Sequence, residues 1–150
     1  MNSNFQIRGD ANNPYHLSVG AVILENNQII LLKKANGNVT LPRETMYLKE
    51  SIKKTLIRGA EEEIGIIVEV EKYLGSQITF FKRPDNTNVE KTTLYFLAKK
   101  LKETTKKQEL DELEDEIITL DIKNGTDLLK KQGNEEYKIL ERLIGNKSFH

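Results

Sequence analysis

Apolar and polar positions alternate along this chain in two periods, and the period changes mark the elements. His16 to Leu24 (HLSVGAVIL) is a β-branched, apolar run of the kind that forms a buried strand. Glu25-Asn26-Asn27 carries turn residues, and Gln28 to Lys33 (QIILLK) follows as a second strand, so the two predict a hairpin. Lys34 to Asn38 is another turn, and residues 39–42 make a short extended piece ending at Pro42. From Glu50 to Ile64 the period lengthens. Ile52, Leu56, Ile57, Ala60 and Ile64 share one stripe at a helical spacing, and Gly65 is placed to end the helix. Strands are then expected over 66–73, 77–82 and 92–99, with a polar connection at 83–88.

The last third is less regular. Residues 99–116 are densely charged and read as a loop or an exposed helix. A short strand is expected over 117–122, followed by helices at 127–131 and 135–144. The last helix is amphipathic through Tyr137, Ile139, Leu140, Leu143 and Ile144. Strands interleaved with a few helices point to an α/β (α+β) fold, a mixed sheet sandwiched between helices. No repeat or linker divides the chain, so residues 1–150 are expected to form one domain, with the Asn-rich 1–14 as a poorly ordered start.

Composition narrows the chemistry. The chain has 150 residues, with 23 Lys+Arg against 23 Asp+Glu, which gives no global pull toward nucleic acid. Cysteine is absent, which excludes thiol chemistry and cysteine-held zinc. His16 and His150 are the only histidines, so any metal must sit among carboxylates, which favours Mg²⁺ or Mn²⁺. No apolar run reaches the roughly 20 residues of a membrane helix, and the N-terminus has no signal pattern. The expectation is a cytoplasmic protein.

The helix over 50–64 carries the candidate chemistry. Positions 59, 62 and 63 lie together at the edge of its apolar stripe, where a helix meets a cleft. Glu62 and Glu63 there can share a hard cation that polarises a phosphoryl oxygen. A solvated helix face is the other reading of the pair, and both stay open. Glu61 points to roughly the opposite side.

In spacing, Glu50, Arg58, Ala60, Glu62, Glu63, Gly65 and Ile66 resemble the signature of the Nudix (MutT-like) hydrolase family without a gap. LPRETMYLKE resembles the Leu-Pro-Lys-Gly opening of the family's dinucleoside polyphosphate branch, with Arg43 for its lysine, and EKTTLYFLAKK resembles that branch's Lys-Thr-Val-x-Tyr-Phe strand. The resemblance spans most of residues 15–145. It implies a Nudix fold and a pyrophosphohydrolase using Mg²⁺ or Mn²⁺. Glu62, Glu63 and Arg58 would serve catalysis, and Glu62 and Glu63 would hold metal. A late carboxylate such as Glu112 or Glu116 would join them. Glu50 and Gly65 would be structural, with Glu50 and Arg58 bracing the loop against the helix.

Two positions depart from the signature. Glu44 stands where the family has the first glycine of its loop, and Gly59 stands where it has a metal-binding glutamate. Glycine offers no oxygen, and inside a helix it is about 1 kcal/mol less favourable than alanine. The expectation is weakened catalysis, with Gly59→Glu raising metal affinity and activity. Glu44 is an alternative source of a carboxylate.

Lys33, Lys34, Arg43 and Lys91 are candidates to meet phosphates, or else surface cations. Tyr47, Phe80, Phe81 and Tyr95 are candidates to stack on a base, or else core aromatics. Two functions are therefore carried forward. One is a hydrolase of nucleoside diphosphate-linked compounds, of the dinucleoside polyphosphate, ADP-ribose or nucleoside triphosphate class. The other is a catalytically inactive domain that binds a nucleotide or a protein. A small nucleotide or dinucleotide is the expected partner, with no membrane and a possible homodimer.

Overall fold

The computed structural model describes residues 5–104 and 115–147. Strand β1 (Tyr15–Glu25) is its centre. It runs parallel to β6 (Asn88–Glu103) and antiparallel to β2 (Gln28–Lys33) and to β4 (Arg43–Thr45). β2 also pairs with β3 (Val39–Thr40) and β7 (Glu116–Asp121), and β5 (Ile66–Lys82) pairs with β6. The result is a seven-stranded mixed sheet. Helix α1 (Ile52–Ile64) covers one face, while α2 (Ile122–Lys131) and α3 (Tyr137–Lys147) cover the other.

A strand buried on both faces reads as an unbroken apolar run, and β1 is one. Val19, Ala21 and Ile23 pack with Leu56, Ala60 and Ile64 of α1, whereas Val22 joins Leu129, Ile139, Leu140 and Leu143 under α2 and α3. The two cores follow from the two-residue alternation of a strand. The expected hairpin is present. Asn26 and Asn27 take φ of +52° and +65°, the left-handed pair that a two-residue turn matching strand twist demands. At the start of α1, Ser51 accepts a hydrogen bond from the Lys54 N–H; at its end Gly65 sits at φ +67° and returns its N–H to Ala60 and Glu61.

The structure departs from the expected elements at β4, β5, β6 and α2 and in the N-terminal segment. β6 starts at Asn88 and runs to Glu103, into residues read as a loop or exposed helix, because β5 pairs with it along that length. β4 is a strand that periodicity does not reveal, because three polar residues carry no pattern and pairing with β1 defines it. β5 is one strand of 17 residues rather than two, since register shifts around Leu74 and Gly75 absorb the irregular stretch. α2 begins at Ile122, capped by the Asp121 side chain, rather than at 127. Residues 5–14 are tied down: Ile7 donates to the Met46 carbonyl, and Leu17 and Leu48 donate to Ile7 and Phe5. No helix among the described residues is long and apolar enough to cross a membrane.

Candidate active site

The pairing of β4 with β1 decides where its side chains go. Residues directly opposite in an antiparallel pair share a face. Arg43 lies opposite Gly20, and Glu44 lies opposite Val19. Glu44 therefore turns under α1, and Arg43 turns toward the side of Tyr95 and α3.

Under α1 the organising group is Arg58. Its guanidinium donates from Nε and Nη2 to the two oxygens of Glu50, at 2.8 and 2.9 Å, and from Nη2 to the Thr45 carbonyl at 3.0 Å. Glu50 also accepts from the Tyr47 N–H and the Thr55 hydroxyl. Burial alone would raise the Glu50 pKa, but the Arg58 hydrogen bonds, the two neutral donors and the Arg58 charge hold it at about 2. Burial likewise disfavours the Arg58 charge, and Glu50, Glu44 and Glu62 reverse that and raise its pKa. The pair forms a bidentate fork between the helix and the loop that precedes it. Glu44 and Glu62 both approach Arg58 Nη1, each at 3.4 Å.

Beside this brace, Gly59 faces β4. A Cβ built on Gly59 would fall 2.5 Å from Glu44 Cβ, 3.0 Å from its Cγ and 3.5 Å from its Oε2. The Glu44 side chain thus occupies the space into which a residue at 59 would extend. Gly59→Glu alone therefore requires Glu44 or β4 to shift before a side chain at 59 can enter.

Next to Glu44 opens a polar cleft of about 210 Å³. Arg8, Lys34, Arg43 and Lys91 line it, with the carboxylates of Glu44 and Glu63 and the ring of His16. Lys34 meets Asp115 at 2.8 Å, and Arg43 lies 3.7 Å from Glu136. Glu136 is buried, and it also accepts from the Leu41 N–H at 2.9 Å and from the Tyr95 hydroxyl. Burial and the Arg43 charge lower the Lys91 pKa to about 8. Burial and Lys91 lower that of His16 to about 4, so His16 is neutral at pH 7. Its ring nitrogens lie 3.2 Å from the Arg8 carbonyl and 3.0 Å from the Ser18 hydroxyl. Four cations, Lys91 among them with its lowered pKa, and two carboxylates make a cavity suited to a polyanion.

The residues expected from sequence divide accordingly. Arg43, Lys91 and Glu63 line the cleft, as does Lys34. Glu62 engages Arg58 at the edge of α1. Arg58 lies over the Tyr47 ring, its guanidinium carbon 3.9 Å from the ring centre, so Tyr47 covers one side of the brace. Lys33 is exposed on β2 opposite Glu116 of β7, and neither lines the cleft. Phe81 is exposed on β5 and meets the His16 ring edge-on at 5.8 Å. Glu112 lies outside the described residues. Arg8 and Glu136 are the functional candidates that sequence reasoning missed. Arg8 sits in a segment without periodicity, and Glu136 reads as one charge on an amphipathic stretch.

The sequence profile of the NUDIX domain matches residues 14–143. The chain belongs to the Nudix family. A comparison with curated proteins finds none that matches. Among solved structures, a NUDIX hydrolase from Nitrosomonas europaea is similar, with a TM-score of 0.67 and 16% identity over 88% of this chain and 90% of that one. A UDP-X diphosphatase gives 0.66 and 22% identity over 92% of this chain and 66% of that one. An ADP-ribose pyrophosphatase from Streptococcus suis gives 0.54 and 18% identity over 74% and 76%. At these identities the likeness is one of fold.

Nudix hydrolases generally use divalent metals. Among the described residues, no three acidic or imidazole side chains are grouped to hold one. Mg²⁺, however, is commonly bound by one or two carboxylates, with waters and substrate phosphates completing its shell. Glu63 and Glu44, two carboxylates on one cleft lined by four cations, fit that more modest demand.

Proposed function

We propose that this Nudix domain binds the diphosphate of a nucleoside diphosphate-linked compound in the cleft, and hydrolyses it with weakened catalysis. The observation that carries this reading is the grouping of Arg8, Lys34, Arg43 and Lys91 around Glu44 and Glu63. The cations hold the phosphate oxygens and offset charge that develops as the anhydride breaks. Mg²⁺ or Mn²⁺, when bound, supplies Lewis-acid activation of phosphorus and of the attacking water. Glu63, which lines the cleft from α1, would hold that ion, Glu62 would be the second helix carboxylate offered to it, and Arg58 keeps the helix and loop in register. Gly59 gives the helix itself one carboxylate fewer than the family signature, which is the ground for expecting slow turnover.

The neighbours described as a UDP-X diphosphatase and an ADP-ribose pyrophosphatase support a diphosphate joined to a second group. The LPRE opening and the KTTLYF strand add dinucleoside polyphosphates to the substrates to be tried.

A second reading is favoured by Gly59 and by the engagement of Glu62 with Arg58: a domain that binds the nucleotide and no longer cleaves it. One titration and one assay separate the two. ADP-ribose, dinucleoside polyphosphates and nucleoside triphosphates are titrated calorimetrically and assayed with Mg²⁺ or Mn²⁺. The first reading expects binding that Arg43→Gln or Lys91→Met weakens at least about tenfold, and slow turnover that Glu63→Gln abolishes. Binding without turnover selects the second reading. No binding of any of these anions overturns both.

A further inference from the structure

Resting on the hydrolase reading above, we propose that Glu44 and Gly59 are a reciprocal exchange, in which the loop carboxylate takes over the place and the cation-facing role of the missing helix carboxylate. The two departures from the family signature are not independent losses. They touch. Only a glycine at 59 leaves room for the Glu44 side chain, whose Cβ lies 2.5 Å from where a Cβ at 59 would be. The Glu44 carboxylate reaches the level at which a side chain at 59 would begin, with Oε2 3.5 Å from that Cβ position.

Backbone geometry explains why the exchange places the carboxylate usefully. The pairing of β4 with β1 puts Glu44 on the face of Val19, beneath α1. From there it lines the same cleft as Glu63, which comes from α1 four residues beyond Gly59, on the same side of the helix. Thr45 N–H donates to Glu44 Oε1 at 3.1 Å, and Arg58 Nη1 lies 3.4 Å from Oε2, so the side chain is held from behind rather than loose. A charge moved from helix to loop thus meets the same pocket from the opposite wall.

Four variants test this: Glu44→Gln, Glu44→Gly, Gly59→Glu, and the double change Glu44→Gly with Gly59→Glu. Thermal melting and Mn²⁺ binding followed by electron paramagnetic resonance are the readouts. Metal-free ADP-ribose binding serves as a separate gauge of the cation cleft. Gly59→Glu alone is expected to lower the melting midpoint by about 3 to 10 °C through overpacking. In the double variant the two changes compensate, and the midpoint lies well above that given by adding the single losses. The double variant also binds Mn²⁺ about as tightly as the parent. Glu44→Gln keeps the shape and the midpoint but weakens Mn²⁺ binding at least about tenfold. Additive melting losses, or parental Mn²⁺ affinity in Glu44→Gln, overturn the exchange. Loss of ADP-ribose binding in the parent protein instead overturns the functional reading, and the melting cycle still decides whether the exchange is real.

Discussion

Glu136 Oε2 lies 3.7 Å from Arg43 Nε, so a carboxylate only 2% exposed is joined to a cation of the cleft. The same carboxylate takes the Leu41 N–H and the Tyr95 hydroxyl. It therefore ties the start of α3, the strand residue Tyr95 and the entry to β4 into one polar knot. Its neutralisation reaches the cleft as well, because Glu136 is the group that raises the Lys91 pKa against burial and Arg43. Glu136→Gln is expected to destabilise the fold by about 1–3 kcal/mol. It should also move the Lys91 titration below about 8. Urea unfolding and NMR of the Lys91 ammonium check the two parts. An unchanged Lys91 titration would remove Glu136 from the electrostatics of the cleft.

Acid should unfasten the brace under α1. Glu50 has a folded pKa of about 2 against an ordinary value of 4.5. A depressed carboxylate contributes stability that is fully present above pH 4.5 and is lost as pH falls toward 2. That contribution is on the order of 3 kcal/mol, because each pKa unit corresponds to about 1.4 kcal/mol and the group is largely buried. Glu50→Gln should remove this share of the acid dependence and lower stability at pH 7 by about 2–4 kcal/mol, with Glu44 and Glu62 left as the partners of Arg58. Urea midpoints at pH 7, 4 and 3 for parent and variant provide the measurement. Parallel pH curves would show that the brace is not what acid breaks.

Alkali should loosen the ligand before it harms the fold. Lys91 titrates near 8 in the folded chain and at 10.5 ordinarily, with Arg43, Lys34 and Glu136 as the charges acting on it. Since the unfolded chain keeps this proton longer, deprotonation of Lys91 makes the folded state relatively more stable between pH 8 and 10.5. Binding of an anion has the opposite need. The protonated amine is the binding form, so affinity for ADP-ribose should be level up to pH 7.5 and then fall, approaching about tenfold per pH unit. Lys91→Arg keeps its charge throughout this range and should flatten the profile while preserving affinity. A profile in Lys91→Arg identical to that of the parent would assign the titration to another group.

Much of the fold was legible in the sequence because its signals are local. The β-branched runs of β1 and β2, the stripe of α1 and the stop at Gly65 each need only neighbours in the chain. What escaped is defined by partners far away. β4 is a strand only because β1 accepts it, and β5 stays continuous because bulges near Gly75 let β6 follow it. In the site, Arg43, Lys91 and Glu63 were readable as candidates, and all three line the cleft. Arg8 and Glu136 were not. Glu136 meets the Leu41 N–H across 95 residues of sequence, and no periodicity encodes that encounter. The contact between Glu44 and Gly59 is of the same kind: the spacing names both departures, but only the pairing of β4 with β1 makes them neighbours.

Gly20 stands on the face of β1 opposite to Val19, where the sheet leaves no room for a side chain. It lies between Arg43 of β4 and Tyr95 of β6 in the sheet. A Cβ there would fall 2.5 Å from two ring carbons of Tyr95 and 3.5 Å from Arg43 Cγ. The ring cannot step aside freely, since Tyr95 is fully buried and its hydroxyl is held by Glu136. Gly20→Ala should therefore destabilise by about 1–3 kcal/mol, the usual range for one methyl too many in a packed core. It should also weaken ADP-ribose binding by displacing Arg43. Tyr95→Phe keeps the ring and should give no relief. In a Tyr95→Leu background the ring is gone, and adding the Gly20 methyl should change stability by less than about 0.5 kcal/mol. Urea denaturation of the four proteins measures this coupling. If Gly20→Ala is as harmful without the ring as with it, the close approach of Tyr95 is not the reason that glycine stands at this position.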